Sequence, residues 1–169
     1  MLPISSRSRS GAALVETLFA VGVAAFSFAS LSMMYSSALR SIGAQQETIC
    51  ATLALQERAE QIRATNWTVL TSGSRLQAGV FGNAPPTAVK LASVTEEVTI
   101  NPYPPLAGVQ TPLRVRREQD RAEIISEPLN NALLASSCVR VDLKVTWNSR
   151  GRARARESSM IVALGSAVR

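Results

Sequence analysis

The chain has 169 residues, 46% of them apolar, with 18 lysines and arginines against 12 acids, a net charge of +6 and no histidine. That length holds one modest domain beside an apolar segment, and the missing histidine removes the commonest general base and metal ligand. The two cysteines, Cys50 and Cys138, stand too far apart to read as a zinc-ligand pair, and there is no phosphate-cradling glycine loop, nucleophile elbow or HExxH pattern; the composition points away from an enzyme, with no cofactor or metal expected.

The N-terminal stretch "SRSGAALVETLFAVGV" leads into a run from Thr17 to Leu39 without charge or proline, closed by Arg40. A helix needs about 20 such residues to cross a bilayer core. Glu16 stands at the threshold of this run. A carboxylate in hydrocarbon is costly and requires a partner, and the neighbouring sequence supplies none. A secretory signal with a cut near "AFSFAS" would have its apolar region interrupted by Glu16. A plain signal anchor, with Arg7 and Arg9 held in the cytoplasm, leaves Glu16 without a purpose.

A short basic leader ending in Gly11, a new N-terminus at Ala12 and a glutamate at the fifth position after the cut, all ahead of "TLFAVGVAAFSFA", resemble the type IV prepilin signal. The resemblance implies removal of residues 1–11 by a prepilin peptidase at the cytoplasmic side and N-methylation of Ala12. It implies a filament-core helix over 12–39 that first spans the inner membrane once, the head lying in the periplasm. Glu16 would then pair with the terminal ammonium of the next subunit. Two charges are tolerable together in a low-dielectric core and expensive apart, so the pair would select one axial register. Within the span, Ala20, Gly22, Ala24, Ala25, Ser27, Ala29, Ser30 and Ser32 offer the small surfaces that let helices approach closely. No proline lies between Pro3 and Pro85, so no proline kink is expected in the helix.

Past Arg40, "SIGAQQETICATLALQERAEQIRATNW" stays rich in helix formers and predicts continuation to about Thr65, an extra-membrane half covering 40–66. Ile42, Ile49 and Leu53 fall near one face and Leu55, Ala59 and Ile62 near another, as though one face meets the protein's own sheet and one meets neighbouring subunits. Glu57, Glu60 and Arg63 read as solvated, with Glu60 and Arg63 spaced for an intrahelical pair. "CATLALQERAEQIRATNW" resembles the post-membrane helix of V-type minor pilins and of I-type pseudopilins of type II secretion.

The remainder, 67–169, reads as a globular head. Between Thr68 and Pro112, glycine, proline and serine mark loops, notably "VFGNAPPTA" and "NPYPPLAG". "SVTEEVTI" between them predicts a strand with Val94, Val98 and Ile100 on one side and Glu96 out of pattern. "LRVRRE" suits a strand; "AEIISEPLNNALLASS" suits a turn or a short helix broken by Pro128. Val139, Val141, Leu143, Val145 and Trp147 alternate with polar residues, the period of a strand with one buried face. A turn at Asn148–Gly151 returns "RARARESSMIVALG" antiparallel, giving a hairpin over about 138–164. This hairpin resembles the closing hairpin of V-type minor pilins. The expected fold is α+β and type IV pilin-like, a long N-terminal helix packed against a small antiparallel sheet.

Arg150, Arg152, Arg154 and Arg156 form a basic row that suits nonspecific nucleic-acid contact or solvation of an edge strand. Net charge falls from +6 to +4 once Arg7 and Arg9 leave with the leader. In the oxidising compartment that the resemblance implies, Cys50 and Cys138 are either bridged or two small apolar residues. The expected role is a minor pilin or pseudopilin assembling with other pilins or pseudopilins into a pilus or secretion pseudopilus. The alternative is a membrane-anchored periplasmic binding protein, with DNA as one ligand.

Overall fold

The computed structural model describes residues 8–82, 91–105, 111–118, 121–128 and 133–165, with side chains from Ala12 onward. The first seven leader residues and parts of both proline-rich loops lie outside these described residues. The chain divides into two units, Met1–Ala44 and Gln45–Arg169.

In the first unit runs α1, a helix of 56 residues from Ser8 to Arg63 whose C-terminal part belongs to the second unit. From Ala12 to Ile42 every residue is exposed, including Leu14, Leu18, Phe19, Phe26, Phe28 and Leu31. Among the described residues, α1 is the one helix long and apolar enough to cross a membrane. Several of its hydroxyls are satisfied within the helix. Thr17 donates to the Leu14 carbonyl at 2.9 Å, Ser27 to Val23 at 2.8 Å, Ser30 to Phe26 and Ser32 to Phe28 at 2.9 Å. Such back-bonding lets small polar residues occupy an apolar helix at little cost.

The second unit holds a five-stranded antiparallel sheet in the order β3-β2-β1-β4-β5, with β1 Thr95–Tyr103, β2 Leu113–Glu118, β3 Arg121–Ser126, β4 Cys138–Ser149 and β5 Arg152–Ala163. Alternation along β4 buries Val139, Val141, Leu143, Val145 and Trp147 as expected. These side chains join Val98 and Ile100 of β1 and Leu113 and Val115 of β2 in one core. The C-terminal part of α1 supplies Ala51, Leu55 and Ile62 to that core, recurring at helical spacing along one side, while Ile49 and Leu53 remain exposed.

Three segments differ from the sequence expectation. Asn101, Pro102 and Tyr103, read as the start of a loop, extend β1, because the long strand β4 offers them a ladder at Arg140, Val139 and Cys138. The start of the loop-rich region forms α2, Trp67–Leu70, and α3, Gly73–Gly79, and Trp67, Leu70, Leu76, Val80 and Phe81 fill the core beside α1. Asn66 caps α2 by accepting from the Thr68 N–H at 3.1 Å. Each helix is too short to show periodicity, so burial of its apolar residues decides the conformation. "AEIIS" lies within strand β3 rather than in a turn or helix: the free edge of β2 recruits it, with Ala122 and Ile124 packed against the core.

The sheet's other face is polar and charge-matched. Arg114 and Arg116 flank Glu97, the latter at 3.9 Å, Arg140 meets Asp142 at 2.9 Å, and Lys144 meets Glu157 at 2.7 Å. The β4–β5 connection is a two-residue loop, because Ser149 pairs with Arg152. Arg150 at φ 52° and Gly151 at φ 77° both adopt left-handed backbone, the signature of a type I′ turn that matches strand twist.

Candidate functional site

Within the first unit, the residues assigned to processing and assembly lie on one helix. Gly11 and Ala12 are consecutive within α1, and Glu16 follows one turn after Ala12. Among the described residues no cation lies within ion-pair distance of Glu16, whereas the hydroxyls of Thr17, Ser27, Ser30, Ser32 and Ser36 all find carbonyls. Glu16 is thus an acid on an exposed apolar helix with no ion-pair partner among the described residues.

In the second unit, the β4–β5 hairpin gathers the basic row. Direct cross-strand pairing sets Arg152 opposite Ser149, Arg154 opposite Trp147 and Arg156 opposite Val145, so the three arginines share the face on which α1 packs. All three and Arg150 are exposed, and among the described residues none lies in an ion pair, unlike Arg114, Arg116, Arg140 and Lys144 on the opposite face.

Glu47 of α1 anchors the hairpin. The Trp147 indole N–H donates to Glu47 Oε2 at 3.3 Å. A hydrogen bond from the Ser149 side chain holds the Glu47 carboxyl below its ordinary range, with Trp147 and the charges of Arg154 and Arg150 acting the same way and desolvation opposing them. The carboxylate therefore ties the helix to the last turn of β4.

A second, buried cluster explains the irregularity at Glu96. Arg58 and Glu96 are 2% and 4% exposed and meet at 2.5 Å. Arg58 also donates to Gln61 Oε1 at 2.8 Å and to the Val80 carbonyl, and its guanidinium stacks 4.6 Å from the Phe81 ring centre. Arg117, buried too, pairs across strands with Glu96. Burial pushes Arg58 below its ordinary value and Arg117 adds to that, while the charge and hydrogen bond of Glu96 oppose it. The cluster is sealed from solvent and joins the helix to the sheet.

The cluster is legible in hindsight. Arg58 shares the helical stripe of Leu55 and Ile62, and Glu96 shares the parity of Val98 and Ile100. Opposite charges on two faces destined to meet are a pairing signal.

Cys50 and Cys138 are free thiols that the fold does not bring together. Cys50 packs at the core one helical turn beyond Glu47, which meets Trp147. Cys138 begins β4, nine residues before Trp147, about 30 Å away at strand rise. Its side chain also alternates with buried Val139, toward the polar face. A disulfide requires Cα atoms within about 7 Å.

Among the described residues no group of acids and cysteines is placed to hold a metal ion. No family model matches the chain, nor does any curated protein or any solved structure.

Proposed function

We propose that the chain is a type IV pilin-like subunit, a minor pilin or pseudopilin that is cut after Gly11, held in the inner membrane by α1 with its head in the periplasm, and assembled with other pilins or pseudopilins into a filament. The observation that carries this reading is Glu16. It is an acid without a cation partner among the described residues, on a helix that is exposed from Ala12 onward and whose neighbouring hydroxyls are internally satisfied. A partner supplied by another molecule would complete it, and the Ala12 ammonium of an adjacent copy or homologous subunit has the charge and the helical position. Exposed Ile49 and Leu53 extend the same argument into the extra-membrane half, since apolar residues turned away from the core suit a neighbouring helix.

Intact-mass spectrometry of protein made in a host with a prepilin peptidase tests this. Mature protein begins at Ala12 and appears in a sheared filament fraction. Retention of Met1, or a cut near Ser30, overturns the reading, because an anchored binding protein needs neither the Gly11 cut nor lateral assembly.

A further inference from the structure

The two edges of the sheet are built differently. β3 is six residues long, and its pairing with β2 slips between Arg114 and Val115. β5 is twelve residues long, when a strand ordinarily has about 5 or 6, and it pairs with β4 residue for residue, from Ala163 opposite Cys138 to Arg152 opposite Ser149. It stands last in the sheet order, so its outer side presents a row of backbone N–H and C=O groups that no strand among the described residues takes up. Natural edges of this length are shortened, bulged, interrupted by proline or covered. β5 has no proline and no break in register, and residues 152–159 are exposed without interruption, on both faces of the sheet.

The edge carries its charge on one face. Arg152, Arg154 and Arg156 lie opposite Ser149, Trp147 and Val145, so the three share a side and no acid stands directly across from any of them. Ala153, Ala155 and Glu157 take the other side. A row of one sign repels another copy of itself, which guards against self-association without closing the edge. The same row favours an incoming strand with acids at alternate positions, because opposite charges directly across a strand pair attract. β5 holds no aromatic side chain on which a base could stack, and a regular backbone ladder is matched by a peptide rather than by a nucleic acid.

We propose that β5 is a strand-addition site, where an extended acidic segment of a partner protein pairs along residues 152–159. The incoming backbone completes the ladder, and its alternate carboxylates meet Arg152, Arg154 and Arg156 through charge-assisted hydrogen bonds. Every residue of the site belongs to the second unit, so the site does not depend on what α1 spans.

The probe is a blocked peptide in which three glutamates alternate with threonine, added to the full chain in a nonionic detergent and followed by residue-resolved hydrogen exchange. Alternate amides within 152–159, those turned outward, are expected to exchange fast in the free protein and to lose that fast exchange with the peptide. Lysine in place of glutamate should abolish the effect. Arg152→Gln/Arg154→Gln/Arg156→Gln is expected to bind the glutamate peptide about tenfold more weakly, at about two- to threefold for each opposite-charge pair. The β4 amides report whether each protein is folded. No slowing in wild type with β4 still protected overturns the site, and binding without amide protection overturns strand addition. Equal protection by the lysine peptide, or unchanged affinity in the folded triple variant, overturns the acidic assignment. Tighter binding of oligothymidylate than of the peptide overturns the protein partner in favour of nucleic acid.

Discussion

Arg58 and Glu96 meet at 2.5 Å with side chains 3% and 5% exposed, joining the helix to the central strand of the sheet through a charge pair sealed from water. Removing one member of such a pair typically costs about 3 to 5 kcal/mol, because the survivor keeps its desolvation penalty. Here the two deletions differ. Glu96→Leu leaves Arg58 and Arg117 as buried like charges, while Arg58→Met leaves Glu96 with Arg117 across the strand. Chemical denaturation in detergent is expected to show Glu96→Leu as the more damaging, with Arg58→Met/Glu96→Leu milder than the sum of the singles.

The Glu47 anchor should fail in acid. Its folded pKa lies below the ordinary 4.5, so the unfolded state binds its proton first as pH falls. The contribution is complete above that ordinary value and vanishes as pH drops through the folded one. Thermal melts of wild type and Glu47→Gln are expected to differ near neutrality and to converge as pH falls below 4.5 and through the lowered folded value. Solvent screening keeps the difference under about 1 kcal/mol. A gap that persists in acid would mean that the carboxylate charge is not what holds Trp147 and Ser149.

The type I′ turn gives two opposite outcomes at adjacent residues. Gly151→Ala places a Cβ in open space, with nothing within 4 Å, but at φ 77°; the backbone penalty alone should destabilise by about 1 kcal/mol. Arg150→Asn, in contrast, supplies a residue that tolerates φ 52° and should stabilise by about 0.5 kcal/mol. Melting temperatures of the two variants check both signs.

If the chain is the pilin-like subunit proposed above, Glu16→Leu should leave membrane insertion and the cut after Gly11 intact, since the span becomes more apolar. Filament entry should suffer, because a neighbouring Ala12 ammonium then enters the filament core uncompensated at about 3 to 5 kcal/mol. Comparing membrane and sheared fractions from the same cells measures this. Processed Glu16→Leu present in filaments at the wild-type level would remove Glu16 from assembly.

Some features were fixed locally. The apolar run from Thr17 to Leu39 needs no tertiary partner to be a helix that can span a membrane, because its composition and hydroxyl back-bonds are internal to it. Strand β4 was equally legible, since a period of two over Val139 to Trp147 leaves one face that must be covered. A reversal within Asn148–Gly151 followed from the turn residues and the apolar strand before it, and the structure narrowed it to Arg150 and Gly151 by keeping Asn148 and Ser149 in β4. Tertiary structure alone decided the rest. α2, α3 and β3 are too short to announce themselves and exist because the core and the edge of β2 reward them. Glu96 broke its strand's pattern until Arg58, 38 residues earlier, arrived on the facing helix. Cys50 and Cys138 could be assigned no relationship by spacing, and strand length holds them apart. A sequence records which residues carry charge and which face each will take within its own element; which faces meet is a property of the packed whole, and there burial turns an apparent defect into a fastening.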